Sequence, residues 1–79
     1  MAIHSLRALT KAAAVTPSDS TIVDCFAIYV GGAGNLAITP LDQTTAVTLS
    51  GVPAGTTLWI RASKIMSTNT TATLITALY

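Results

Sequence analysis

The 79-residue chain contains no glutamate. Its acids are Asp19, Asp24 and Asp42 and its bases Arg7, Lys11, Arg61 and Lys64. Charged residues make up 9% of the chain, against about 25% in an ordinary soluble domain. A lone monomer with so little charge and a formal net charge of +1 is predicted to be poorly soluble. Four bases also cannot build the basic patch that nucleic-acid binding needs, so no nucleic-acid partner is expected. Cysteine is as scarce. Cys25 alone cannot close an intrachain disulfide, and one histidine with one cysteine cannot hold structural zinc. No cofactor and no metal are expected. A long apolar run is missing too. Residues 25–41 carry no charge, but Gly31, Gly32, Gly34, Asn35 and Pro40 interrupt them, so no membrane association is expected. The opening "MAIHSLRALTKAAAV" is too interrupted to serve as a secretory apolar core.

A domain of this size buries only about 60% of the surface its unfolded chain exposes. Small domains compensate with disulfides, a metal or oligomerisation. The first two are excluded by residue count, which leaves oligomerisation. Apolar residues are 51% of the chain, so what replaces charge is neutral polar side chains, mostly threonine and serine. An outer surface of that kind is predicted to be hidden in an assembly.

Two regions differ in grammar, dividing the chain into an arm and linker over 1–20 and a β domain over 21–79. In the arm, Ile3, Leu6, Leu9, Ala12 and Ala13 recur at helical spacing, with Arg7 and Lys11 four apart. This reads either as a short amphipathic helix, near the length at which isolated helices are marginal, or as an extended arm that orders only against a neighbour. "TPSDST" (16–21) is turn chemistry and makes a hinge. Strand candidates occur at "CFAIYV" (25–30), "LAIT" (36–39), "AVTLS" (46–50), "LWIRASKI" (58–65) and "ATLITALY" (72–79), with turn signals between them. The expected fold is all-β, a small sandwich or barrel of five to six antiparallel strands.

The glycine-rich "YVGGAGNL" (29–36) poses a choice between phosphate cradle and turn. No lysine occurs between Lys11 and Lys64 to reach a phosphate. The residues after Gly34 read as strand, not helix, so the segment is expected to be a hairpin tip. His4 lies in the arm without an orienting frame, and Cys25 opens an apolar strand as a small buried hydrophobe. No catalytic residue is expected. Alternation places Phe26, Ile28 and Val30 on one strand face, and Leu58 and Ile60 likewise, opposite Trp59 and Arg61. With the aliphatic sets inward, Tyr29, Trp59, Ile75 and Tyr79 belong to a second face. Such a face is an interaction surface, unless the small fold covers both sides of its sheets itself. Trp59 with Arg61 reads as a stacking platform for a sugar or base, or as a subunit contact. The interface candidates are Leu6, Leu9, Tyr29, Trp59, Arg61, Ile75 and Tyr79.

The ordered set "TPSDST", "YVGGAGNLAI", "GVPAGTTLWIRASKI" and "TTATLITALY", spanning about residues 16–79, resembles a family of small tailed-phage virion proteins that includes the head-spike base proteins of gene transfer agents. The matching positions are turns and strand ends: Pro17, Asp19, Ser20, Tyr29, Gly31, Gly34, Val52, Pro53, Gly55, Arg61, Ala77 and Tyr79. Trp59 departs from the pattern, where a smaller or aliphatic residue is expected. The resemblance implies a non-enzymatic virion protein on the capsid surface, made in the host cytoplasm. It implies a symmetric homo-oligomer, trimer or pentamer, that binds the major capsid protein as decoration or cement, or that carries a spike or fibre protein as a head-spike base. The alternative is a receptor- or carbohydrate-binding module of a phage spike or tail.

Overall fold

The computed structural model describes residues 9–79. Ile3, His4, Leu6 and Arg7 of the arm lie outside the described residues. Seven strands form: β1 (Ala12–Ala14), β2 (Ala27–Gly32), β3 (Gly34–Pro40), β4 (Val47–Val52), β5 (Thr56–Leu58), β6 (Ala62–Ile65) and β7 (Thr73–Leu78). There is no helix among the described residues. All pairings are antiparallel, in a four-stranded sheet ordered β1-β7-β2-β5 and a three-stranded sheet ordered β4-β3-β6. The core lies between them, where Ile28, Val30, Leu36, Ile38 and Ile65 are almost fully buried. Each such side chain contributes about 1.5–3 kcal/mol over an exposed one.

The two strands beyond the five candidate segments have separate origins. Part of the segment that reads as helix or as extended arm is a strand within its own fold: Ala12–Ala14 pair with Leu78–Thr76 of the same chain. Thr10 N–H donates to the Tyr79 carbonyl at 2.9 Å, and Tyr79 N–H donates to the Lys11 carbonyl at 2.8 Å. The unpaired edge of β7 offers these residues a ladder that an isolated helix lacks. The long strand candidate 58–65 is instead broken. Leu58 pairs with Ile28 in one sheet, while Ala62 pairs with Pro40 in the other. Trp59, Ile60 and Arg61 carry the chain across.

The glycine stretch also departs from expectation. β2 and β3 are separated by Ala33 alone, yet they lie in different sheets and do not pair. The segment is a corner rather than a hairpin tip. Its glycines permit backbone contact: a Cβ on Gly34 would stand 2.6 Å from the Ala72 nitrogen, and one on Gly31 would stand 2.9 Å from Leu74 Cβ. The corner is closed by the Asn35 carbonyl, which accepts from Thr71 N–H at 2.9 Å and Ala72 N–H at 3.0 Å.

At the opposite end, a Cys25–Ala62 bridge ties the start of β2 to the three-stranded sheet. Residues 18–24 run along β6, with Ser18 N–H donating to the Ile65 carbonyl and Val23 N–H to the Ser63 carbonyl. This strap covers an edge that would otherwise offer unpaired backbone groups. The expected hinge is therefore pinned. The Asp19 carboxylate accepts from Ser67 N–H (2.9 Å), Thr68 N–H (3.0 Å) and Thr68 Oγ1–H (2.6 Å). These bonds, the Thr68 hydroxyl foremost, lower its pKa from 3.8 to about 2.

Candidate functional site

The outward face of the four-stranded sheet is set by register. Tyr29 sits between Thr57 and Thr76, and Thr76 pairs onward with Ala14. In the next row, Ala27 pairs with Leu78 and Leu78 with Ala12. Leu74 stands across from Gly31, whose missing side chain makes room for it. None of these side chains carries a charge at neutral pH. Trp59 comes one residue after Leu58, which packs on the core, so alternation turns the indole outward. Trp59 is 75% exposed, Leu74 78% and Tyr29 39%. Three large apolar side chains thus stand in solvent on this chain.

The sequence candidates divide over this frame. Tyr29 and Trp59 are on the surface as expected. Arg61 is exposed, but its guanidinium carbon lies 4.3 Å from the Phe26 ring centroid, so it stacks within its own chain rather than forming a strand-face pair with Trp59. Phe26 is 37% exposed rather than inward. The phase slips because Asp24 adopts φ 50° and Cys25, fully buried, takes the inward position instead. Ile75 requires correction: it is 3% exposed and belongs to the core cluster, because β7 turns its 75 and 77 positions inward. Tyr79 is half-buried and packs against that cluster. Its hydroxyl donates to the Val23 carbonyl at 2.9 Å, and Lys11 Nζ lies 4.7 Å from its ring centroid. Burial pushes its phenol up in pKa. Leu9 is half-buried, and Leu6 lies outside the described residues. Leu74, opposite Ile75 and Tyr79 on its strand and therefore inward if those two face out, is exposed instead. The intervening Thr76 on its row is the signal that this row faces out.

At the β3 end of the molecule, Pro40, Leu41, Asp42, Gln43, Ile60 and Arg61 line a cleft of about 530 Å³. Its lining combines three apolar side chains with one acid, one base and one amide. Cys25 contributes no reactive group. Burial raises its thiol pKa, and a protonated thiol is a poor nucleophile.

No family model matches the chain, and no curated protein does. A solved structure described as "Capsid of native GTA particle computed with C5 symmetry", GTA denoting gene transfer agent, does match. It has a TM-score of 0.80 and 30% sequence identity, covering 91% of this chain and 84% of that one. The chain belongs with the capsid-related proteins of phages and gene transfer agents. Its role is structural and capsid-associated, and its place is the virion.

Proposed function

We propose that this protein acts without catalysis on the outer surface of a phage-type head. There it forms a symmetric homo-oligomer and binds the major capsid protein, as a decoration or cement protein or as the base of a head spike. The observation that carries this reading is the pairing of a gene-transfer-agent capsid likeness with a charge-free outer sheet face bearing Tyr29, Leu74 and Trp59. The mechanism is burial. Apolar surface removed from water contributes about 25 cal/mol per Å², and repetition over a symmetric lattice multiplies modest contacts into firm attachment. A cement role uses this cohesion against internal genome pressure, and a spike-base role uses it to anchor a spike or fibre protein. With residues 10–20 bonded into their own subunit, contact between the arm and a neighbouring subunit or the shell falls to the residues before them.

The test combines the mass of the purified protein with binding to capsids that lack it. Removing residues 1–8 is expected to leave the β signal in circular dichroism and abolish capsid binding. Full retention of binding removes the arm from the reading. A receptor- or carbohydrate-binding role draws on the same exposed Trp59. Glycan binding that disappears in Trp59→Ala, with assembly intact, selects that alternative.

A further inference from the structure

Leu74 is a leucine in the wrong conformation for a leucine. Its φ is 54°, in the left-handed region that glycine and asparagine enter at far lower cost. The side chain gains little from its own fold in return, being 78% exposed. Leu74 therefore stands out as an apolar knob beside the Gly31–Gly34 corner. Strain of this kind, held by the surrounding structure, is characteristic of positions that act on something else.

The cleft lies at the other end of the molecule. β3 starts at the glycine corner, where Gly34 touches Ala72, and it ends at Pro40 on the cleft wall. Its seven residues span about 20 Å. The four-stranded sheet runs the same way, with Phe26 and its partner Arg61 at the cleft end. Knob and cleft are thus opposite poles of one chain. Their chemistry also matches. The cleft is lined by Asp42 and Arg61, opposite charges that sum to zero, together with Pro40, Leu41 and Ile60. The knob end is neutral, since the segments that meet there, 29–36 and 69–76, hold no charged residue. Exposed Thr73, next to Leu74 in the chain, adds a hydroxyl that suits Asp42, Gln43 and Arg61 of the cleft.

We propose that Leu74 of one copy inserts into the Pro40–Leu41–Ile60 cleft of the next, so that copies join head to tail. This rests on the homo-oligomeric reading above and specifies its contact. Two different surfaces meet, so the contact is heterologous and repeats around a ring instead of stopping at a two-fold dimer.

Two variants test this by complementation. Leu74→Asp removes the knob and leaves the cleft, whereas Leu41→Asp puts a charge in the cleft and leaves the knob. Both positions are exposed, and circular dichroism checks the fold. Should Leu74→Asp disturb it, Leu74→Asn keeps a residue at home in the left-handed region and replaces it in the mixture. Each variant alone is expected to self-associate at least about 30-fold more weakly in sedimentation. Mixed one to one, they retain a single good contact and are expected to form heterodimers that grow no further. Wild-type association by a folded Leu74 variant overturns the knob while leaving the homo-oligomer standing. Two weakened variants whose mixture restores nothing overturn the head-to-tail arrangement. A wild-type protein that stays monomeric at millimolar concentration overturns both this contact and the homo-oligomeric reading.

Discussion

Replacing Leu74 with asparagine is expected to make the isolated subunit more stable and the assembly weaker. A left-handed conformation costs an L-residue with a bulky side chain about 1–2 kcal/mol, most of which asparagine avoids by hydrogen bonding locally. Against that stands the packing lost. Full burial of a leucine contributes about 1.5–3 kcal/mol, but Leu74 is 78% exposed, so only about a fifth of that sum, near 0.5 kcal/mol, is at stake. The net gain is about 1 kcal/mol, which for a domain of this size raises Tm by about 4–8 °C. Thermal melts followed by far-ultraviolet circular dichroism measure it, at dilutions where the wild type is dissociated. Leu74→Ala is the control, since it keeps the strain and loses the packing, and its Tm should drop slightly. A Leu74→Asn protein that melts at or below the wild-type temperature would refute the idea that the backbone at residue 74 is held at a cost.

Gly34→Ala places a Cβ 2.6 Å from the Ala72 nitrogen and 2.8 Å from the Thr71 carbonyl carbon. These are backbone atoms that cannot rotate away, so a loss of about 3 kcal/mol is expected in chemical denaturation. A change under 1 kcal/mol would mean that the corner is loose. Asp19 has its pKa lowered from 3.8 to about 2 in the folded state. Its stabilising contribution is therefore complete above about pH 4 and lost as pH falls toward 2. Asp19→Asn should lower Tm at neutral pH and flatten the fall in Tm between pH 4 and 2. An unchanged acid limb in the variant would assign that fall elsewhere.

The two sheets were legible where sequence carried both pattern and punctuation. β2, β3, β4 and β7 lie within a few residues of their expected positions, because the first three are punctuated by glycine or proline and β7 by the polar turn at 67–71. Residues 58–65 failed because nothing in "LWIRASKI" marks a break. The chain changes sheets there through tertiary demand, with Leu58 held by Ile28 and Ala62 by Pro40 and Cys25. The glycine corner failed for a related reason: glycine serves close backbone approach as readily as a tight turn, and its partners at 71–74 are far away in sequence. On the candidate face, Tyr29 and Trp59 could be read from alternation. The phase of β7 could not be read from its leucines, since Leu74, Thr76 and Leu78 form one row and Ile75, Ala77 and Tyr79 the other. The uninterrupted apolar row is the buried one, and a single threonine separates the two readings. The cleft was invisible because Pro40–Gln43 and Ile60–Arg61 meet only when the sheets close.

A domain this small has stability of only a few kcal/mol to distribute, so strain of about 1–2 kcal/mol at one exposed leucine is a large share of it. Such strain is sustainable if association stabilises the folded subunit, because any partner that binds only the folded state adds RT ln(1 + [L]/Kd). The melting temperature of the wild type should then depend on its own concentration. Above the dissociation constant, each tenfold increase adds up to about 1.4 kcal/mol per contact, or a rise of about 6–11 °C. The Leu74→Asn protein should start from a higher Tm in dilute solution and stay flat over the same range, so that the two curves cross as concentration rises. Melts over three decades of concentration supply the comparison. Parallel curves for the two proteins would separate the strain at Leu74 from assembly, and a flat wild-type curve would deny that neighbours stabilise the subunit at all.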